Sequence, residues 1–539
     1  MAQPIYAITP GPVPAGATPE TVGAKAYNLM RLAALGLSVP PGFVIATDLC
    51  AAWVQDPAGA MARLRTLVTP ALRQLEAATG LGFGDERRPL LVAVRSGAAS
   101  SMPGMLETVL NVGLCDRTLR GLLRLTGNPR LVWDSYRRLV AGYAETVLGR
   151  TAAPFDAVTR GALADQNVAS ERALDTGALR AIVHEYRKLI ERDGGPGVPD
   201  DPMDQLIGAI EAVLRSWNSA RAVEYRRMNR LDHLAGTAVT VQAMVFGNAG
   251  ATSGSGVGFT RDPASGDHAI YVEFLPNAQG EDVVAGRHRV LDYGDARQLM
   301  PAVFGELQSL CPRLEAEFGD VQDFEFTVQD AKLYLLQTRR AKRSAWAALR
   351  IAVDLVAEQL TTPEQALAGL AGYDLAAIER LSVRAIDGQT PLASAVAANV
   401  GVAIGALAFD PESARAMAER GQPAILARPD IDTADLPGIA ASVGVLTARG
   451  GRTSHGAVVA RQLDKVCLVG CDALAIDAAG RGCRIGDARL RQGDVVSLDG
   501  NVGAIYRGAV TVVRERPVRE LEIIAGWRAG AAKPARRSA

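Results

Sequence analysis

Hydrophobic and polar positions divide the chain into stretches of different texture. Residues 115–235 carry apolar side chains at helical spacing. In one predicted helix Leu179, Ile182, Val183, Tyr186, Leu189 and Ile190 share a face, and Gly194-Gly195-Pro196 stops it. Leu90-Leu91-Val92-Ala93-Val94-Arg95 is a short apolar run ending in a cation, which predicts a buried strand. From Gly236 the texture turns to strands. Thr237–Phe246 is β-rich, 250–261 is predicted as a glycine-rich loop, and Ile270–Phe274 as a further strand. Gln279–Gly286 is predicted as a loop with two carboxylates, Glu281 and Asp282. Over 321–339, Asp323 and Glu325 alternate with Phe324 and Phe326. Period two puts both carboxylates on one face of a hairpin and both rings on the other.

The remainder organises around one short stretch. Residues 344–400 are predicted as a helical linker, with a capping box at Thr362-Pro363-Glu364-Gln365. Residues 401–510 form a further domain that closes in a strand–turn–strand pattern, and 511–539 are predicted as a frayed tail. Inside that domain Val443–Thr447 reads as a buried strand. Gly450 and Gly451 then turn the chain, Thr453 or Ser454 caps a helix, and His455 stands at the helix start.

Composition narrows the class. The chain has 539 residues, 48% hydrophobic and 22% charged, with 58 basic and 58 acidic side chains. That length supports about three to four domains. A neutral balance gives no global reason for binding nucleic acid or an anionic membrane. The first residues lack the pattern of a secretory leader, and no apolar run approaches the roughly 18 residues of a membrane span. A cytoplasmic enzyme or binding protein is expected. Six cysteines are no disulfide framework, and Cys467, Cys471 and Cys483 lack the spacing of zinc knuckles, so they read as small buried hydrophobes.

The candidate chemistry is phosphoryl chemistry. A helix start offers free N–H groups and a positive dipole end to an anion. A neutral imidazole there is a competent nucleophile toward phosphorus. Arg452, Thr453 and Ser454 flank His455 and could neutralise a phosphoryl group held on it. Gly23 before Lys25 reads either as a small phosphate loop or as a helix with a solvated lysine. Arg95 entering the Ser/Gly-rich stretch through Met105 reads as a phosphate clamp with a methionine-bearing lid. Asp323 and Glu325 repel one another unless a cation joins them, which suits Mg²⁺ bridging nucleotide phosphates. The basic and aromatic clusters at Tyr136-Arg137-Arg138 and Arg221–Arg227 read as helix surface or distant phosphate contacts.

Together these stretches resemble the pyruvate, phosphate dikinase family over most of residues 20–510. The resemblance rests on Val94-Arg95-Ser96-Gly97-Ala98, Ser101-Met102-Pro103-Gly104-Met105, Thr252-Ser253-Gly254-Ser255-Gly256, Asn277–Gly286, Leu336-Gln337-Thr338-Arg339 and Gly450-Gly451-Arg452-Thr453-Ser454-His455. It implies an α/β and α+β multidomain chain. Residues 1–343 would be an ATP-grasp nucleotide-binding domain with a helical insert at about 115–235, and 401–510 a swivelling phosphohistidine domain. In the family ATP places its β-phosphoryl group on the histidine and its γ-phosphoryl group on inorganic phosphate. His455 is then the implied carrier. Lys25 and Arg95 are implied phosphate contacts, with Arg339 beside them. Asp323, Glu325 and Gln337 are implied ligands of nucleotide and Mg²⁺, and Glu273 and Glu281 line the nucleotide cleft.

Ala24, Arg452 and Gly456 depart from the family's usual glycine, methionine and alanine. The family's C-terminal (β/α)₈ barrel has no counterpart in these residues, so the expected acceptor site, for pyruvate or another molecule, is on a separate chain. A small-molecule (antibiotic-type) dikinase and a non-catalytic nucleotide-sensing scaffold are the alternatives.

Overall fold

Six antiparallel and parallel sheets carry the chain in the computed structural model. It describes all residues except 1–3, 101, 103, 104, 193, 195, 285–289, 385–389, 432, 453, 478, 479 and 532–539. Contacts divide it into two units. One is Met1–Ser253 with Thr327–Thr338, and the other is Gly254–Phe326 with Arg339–Ala539.

The first unit is built on an antiparallel sheet ordered Ile5–Ile8, Gly42–Ile45, Ala238–Ala243, Val92–Gly97, Thr108–Val112. Its continuous apolar strands are buried on both faces, which is why Leu90–Val94 shows no alternation. Helices Asp116–Thr126, Pro129–Thr146, Ala153–Asp165, Thr176–Arg192, Pro202–Ser216 and Ala220–Met228 fill 115–235, as the periodicity predicts. In Thr176–Arg192 the buried face is Leu179, Ile182, Val183, Tyr186 and Ile190, while Leu189 packs at its edge.

The basic clusters divide between surface and core: Arg221 and Arg227 have exposed side chains, as predicted, but others do not. Arg137 is buried and pairs with Asp134 at 3.0 Å and Glu171 at 2.6 Å, and Arg138 pairs with the same aspartate at 3.1 Å. Arg226 is also buried. It donates to the Trp217 carbonyl at 2.6 Å and stacks 3.9 Å from that indole. Periodicity shows which helix face carries a cation but not the acceptor that permits its burial.

In the second unit, Gly254–Phe259 is a strand rather than the predicted loop, paired antiparallel with Tyr271–Pro276. The reason is aromatic packing. A Cβ at Gly254, Gly256 or Gly258 would run into the rings of Phe274, Phe326 and Phe324 respectively. Glycine at every second position lets three rings pack closely against the strand. Phe274 and Phe326 stack at 6.0 Å and 4°, and both meet Phe304 edge-on. Phe324 and Phe326 are on the hairpin strand Gln322–Gln329, which continues into Lys332–Arg340.

An eight-stranded sheet makes the remaining core. Its central strands Val402–Ala408, Ala424–Arg428, Gly444–Thr447 and Val466–Val469 are parallel, and antiparallel strands flank them. Helices Pro411–Glu419, Leu436–Ala441 and His455–Gln462 connect the parallel strands. Residues 344–400 are helical over Ala345–Ala357 and Pro363–Gly369 only, and Arg380–Val383 and Val396–Asn399 are strands. The predicted tail is also structured. Val512–Glu515 pairs antiparallel with Arg380–Val383, and helix Val518–Ala531 buries Ile524 among Leu349, Val353 and Leu370. Alanine density masked the strands, and the tail's long-range partner lies over 130 residues away. Cys467, Cys471 and Cys483 are buried free thiols.

Candidate active site

Lys25 is brought to its place by a break in a helix. Pro19–Ala34 is capped by Thr18, yet Gly23 sits at φ 76°, ψ 148°, outside helical geometry. A Cβ there would strike the backbone of Gly97, so two glycine backbones meet. The Ala24 amide donates to the Ala98 carbonyl at 3.0 Å. The segment bearing Lys25 is thereby fastened to the end of the strand bearing Arg95. Arg95 is the half-buried position of an otherwise buried strand, and its Nη1 donates to the Leu336 carbonyl at 3.3 Å. Asn28 likewise donates to the Thr338 carbonyl at 2.8 Å, which fixes the chain on either side of Gln337. Gln337 is buried, and its Oε1 accepts no hydrogen bond among the described residues. Of the expected lid, Met102 is buried, and Ser101, Pro103 and Gly104 lie outside the described residues.

In the second unit the alternation of Gln322–Gln329 separates rings from carboxylates as predicted. Phe324 and Phe326 are fully buried, Asp323 is buried, and Glu325 is half-buried. Asp323 accepts from Arg339 Nε and Nη2, both at 2.8 Å. Burial raises the Asp323 carboxyl above its ordinary value. Arg339 opposes this without cancelling it, and Glu325 adds to the rise. Glu281 and Asp282 begin a short helix, Gly280–Val284, rather than a loop. Asp282 accepts from the Gln279 amide at 3.0 Å, which closes its first turn.

His455 is the first residue of helix His455–Gln462, which follows parallel strand Gly444–Thr447. Ser454 is the N-cap and accepts from the Ala457 amide at 3.4 Å. Thr453 lies outside the described residues, and for His455 only the backbone is described. The histidine thus starts a helix at the carboxyl end of a parallel strand, where open α/β sheets bind ligands. Gly456 lies against Ile431, so a Cβ there would meet that side chain at 2.7 Å.

The loop before His455 is anchored to the glycine strand's sheet. The Arg452 amide donates to Glu273 Oε1, and Gly451 packs on the same carboxylate. Tyr271 donates to Glu273 Oε1 at 2.7 Å. The Arg452 guanidinium reaches Asp262 at 2.6 Å and lies 4.3 Å over the Tyr271 ring. Burial alone would raise the Asp262 carboxyl; Arg452 outweighs it and holds the group below its ordinary value. Arg461 completes the loop by donating to the Arg452 and Ala398 carbonyls at 3.1 and 3.0 Å. Sequence reasoning singled out Arg452 and Glu273 but neither Asp262 nor Tyr271, which no local pattern connects to a residue 190 positions away.

Comparison with known proteins agrees with this arrangement. Residues 61–294 match the family described as pyruvate phosphate dikinase, AMP/ATP-binding domain, and residues 421–503 match the PEP-utilising enzyme, mobile domain. Two stretches of the chain are thus similar to nucleotide-binding and mobile domains described for such enzymes. The dikinase of Clostridium symbiosum is 39% identical over 509 residues, which cover 94% of this chain and 58% of that protein. The Giardia intestinalis dikinase is 39% identical over 516 residues, with the same coverage. The chloroplastic dikinase 1 of Zea mays is 40% identical over 492 residues, covering 91% and 52%. The chain therefore spans between half and three-fifths of these dikinases. Arg95, Glu273 and Glu281 fall inside the matched AMP/ATP-binding domain, and His455 inside the mobile domain. No helix among the described residues is long and apolar enough to cross a membrane.

Proposed function

We propose that the chain is a dikinase-type phosphotransferase. It would use ATP and inorganic phosphate to phosphorylate His455, releasing AMP and pyrophosphate. The observation that carries this reading is the anchored loop: Gly451 and Arg452 are held on Glu273, two residues from a capped helix that begins with His455. Glu273 lies in the matched AMP/ATP-binding domain, so the histidine's helix is tethered to a nucleotide domain.

Lys25, Arg95 and Arg339 bind phosphate oxygens in this reading, and Glu281 lines the cleft. Asp323, Glu325 and Gln337 fit a hard oxygen-seeking cation, because Gln337 Oε1 is a buried acceptor with no hydrogen-bond donor among the described residues. They would hold Mg²⁺, which when bound neutralises charge on the nucleotide's phosphate oxygens. Arg339 holds Asp323 in place for that role and supplies a further cation. Arg452 is a positioning residue, because its charge is shared with Asp262 and its backbone sits on Glu273. Ser454 preserves the helix start that favours an anion. The phosphoryl group then passes to pyruvate or another acceptor.

Incubation with β-³²P-labelled ATP, Mg²⁺ and phosphate tests the reading. Base-stable, acid-labile label is expected on the protein. His455→Ala is expected to abolish it while ATP binding persists. Label that survives this substitution would put the nucleophile elsewhere, and no label at all would favour a nucleotide-sensing scaffold.

A further inference from the structure

A cavity of about 280 Å³ opens where the hairpin strand Lys332–Arg340 runs out toward helices Ala345–Ala357 and Pro363–Gly369. Its polar side is rich in donors and poor in acceptors. Arg340, Lys342 and Arg343 line it together with one carboxylate, Asp320. Arg343 is buried, 6% exposed, and gives only Nη2 to Asp320, at 2.7 and 2.6 Å. Arg340 gives Asp320 its Nε. Among the described residues neither guanidinium makes another hydrogen bond, so most of both forks is left without an acceptor. Lys342 makes no hydrogen bond or ion pair among the described residues. Burial, and then the charge of Arg339, hold its pKa below the ordinary value. Three cations against one anion leave two positive charges in excess. The lining also includes apolar side chains, among them Leu355 and Leu370, both buried.

A lining that joins excess donors to apolar side chains, in a space near the lower end of the roughly 300–1,000 Å³ of ligand pockets, is a basis for choosing a ligand. We propose that this cavity binds a small organic dianion, a phosphate monoester or a dicarboxylate, with its charge on Arg340, Lys342 and Arg343 and its short carbon body on Leu355 and Leu370. Guanidinium forks match both anions in bidentate geometry. The site is distinct from the residues proposed for ATP, since none of these six belongs to that set. An anion here would also relieve the repulsion between Lys342 and Arg339.

Calorimetric titration of the full chain with ethyl phosphate and with succinate tests the proposal. Saturating non-hydrolysable ATP analogue and Mg²⁺ are present throughout to block the nucleotide site. At least one of the two dianions is expected to bind at one-to-one stoichiometry. Removing Arg343 would leave Asp320 buried and short of a partner, so the variants are Arg340→Gln and Lys342→Glu, whose side chains are exposed. Each is expected to weaken dianion binding at least tenfold and to change affinity for the ATP analogue far less. Binding that appears only without the analogue would assign the dianion to the nucleotide site and overturn the proposal. So would binding indifferent to both substitutions, or no binding of either dianion at millimolar concentration. Which dianion binds tells the phosphate source from the dicarboxylate.

Discussion

Two buried aspartates show how the balance of burial against neighbouring charge decides a side chain's behaviour. At Asp134 burial pushes the carboxyl up, but Arg138 and Arg137 together outweigh it and lower it from 3.8 to about 2. At Asp323 burial wins over Arg339 and the weaker influence of Arg461, and Glu325 adds to the rise. The consequences differ in sign. A depressed folded-state pKa stabilises the fold above the unfolded value and loses that contribution as pH falls through the folded value. Asp134 is therefore expected to stabilise the helical region fully above about pH 4 and progressively less down to about pH 2. Asp134→Asn removes one of the two acidic partners of the buried Arg137, leaving Glu171, and is expected to cost ~3 kcal/mol in urea unfolding at neutral pH. An unchanged midpoint would show that Glu171 suffices. Asp323 carries the opposite expectation. Its carboxyl takes a proton at higher pH than an ordinary aspartate, so His455 labelling is expected to begin falling earlier on acidification than an unshifted carboxylate would allow. Asp323→Asn should remove that limb of the pH profile along with most of the rate.

At the scale of elements, the strand Gly254–Phe259 argues most directly from residue type to architecture. Its glycines give up side-chain packing and gain a close seat for Phe274, Phe326 and Phe324. Those rings hold Gln322–Gln329 so that Asp323 and Glu325 take the other face. Gly258→Val would place a branched side chain in the Phe324 ring, and overpacking of this kind costs ~2 kcal/mol or more. Thermal unfolding is expected to shift down, and Mg²⁺-dependent nucleotide affinity to fall with it, because the displaced ring is next to both carboxylates. A variant that loses stability while binding nucleotide normally would separate the aromatic packing from the acidic face. The helix at 19–34 makes the matching case for a break: a helix interior held open at Gly23 so that its backbone meets Gly97.

At the scale of the molecule, the contacts that hold the loop before His455 beside Glu273 include a backbone donation, an ion pair to Asp262 and a ring. Polar contacts suit a joint that must open, since polar groups regain water on release. Arg452→Glu would set two carboxylates, Asp262 and the new one, against each other. Phosphorylation of His455 is expected to slow at least tenfold while ATP affinity stays within twofold, and rising salt should recover part of the rate by screening the repulsion. Equal losses in labelling and in ATP affinity would mean that Arg452 acts on the nucleotide itself.

Local pattern was enough for the helices of 115–235, the buried strand ending in Arg95, the capping boxes, the split of rings from carboxylates at 323–326, and the helix that begins at His455. Each depends on side chains within a few residues of one another, where period and capping chemistry act. Pattern misread several stretches, and three show why. Residues 254–259 looked like a loop because the rings that fill their glycine face come from 274, 324 and 326. Residues 512–531 looked like a tail because their partners lie at 349–383. Arg452 looked like a phosphate ligand because Asp262 and Tyr271 are 190 and 181 positions away. Sequence alone determined which chemistry the chain holds and where its local elements start. Tertiary structure decided which charges are already neutralised, because a counter-charge is a matter of distance in space, and only folding brings together residues so far apart in the chain.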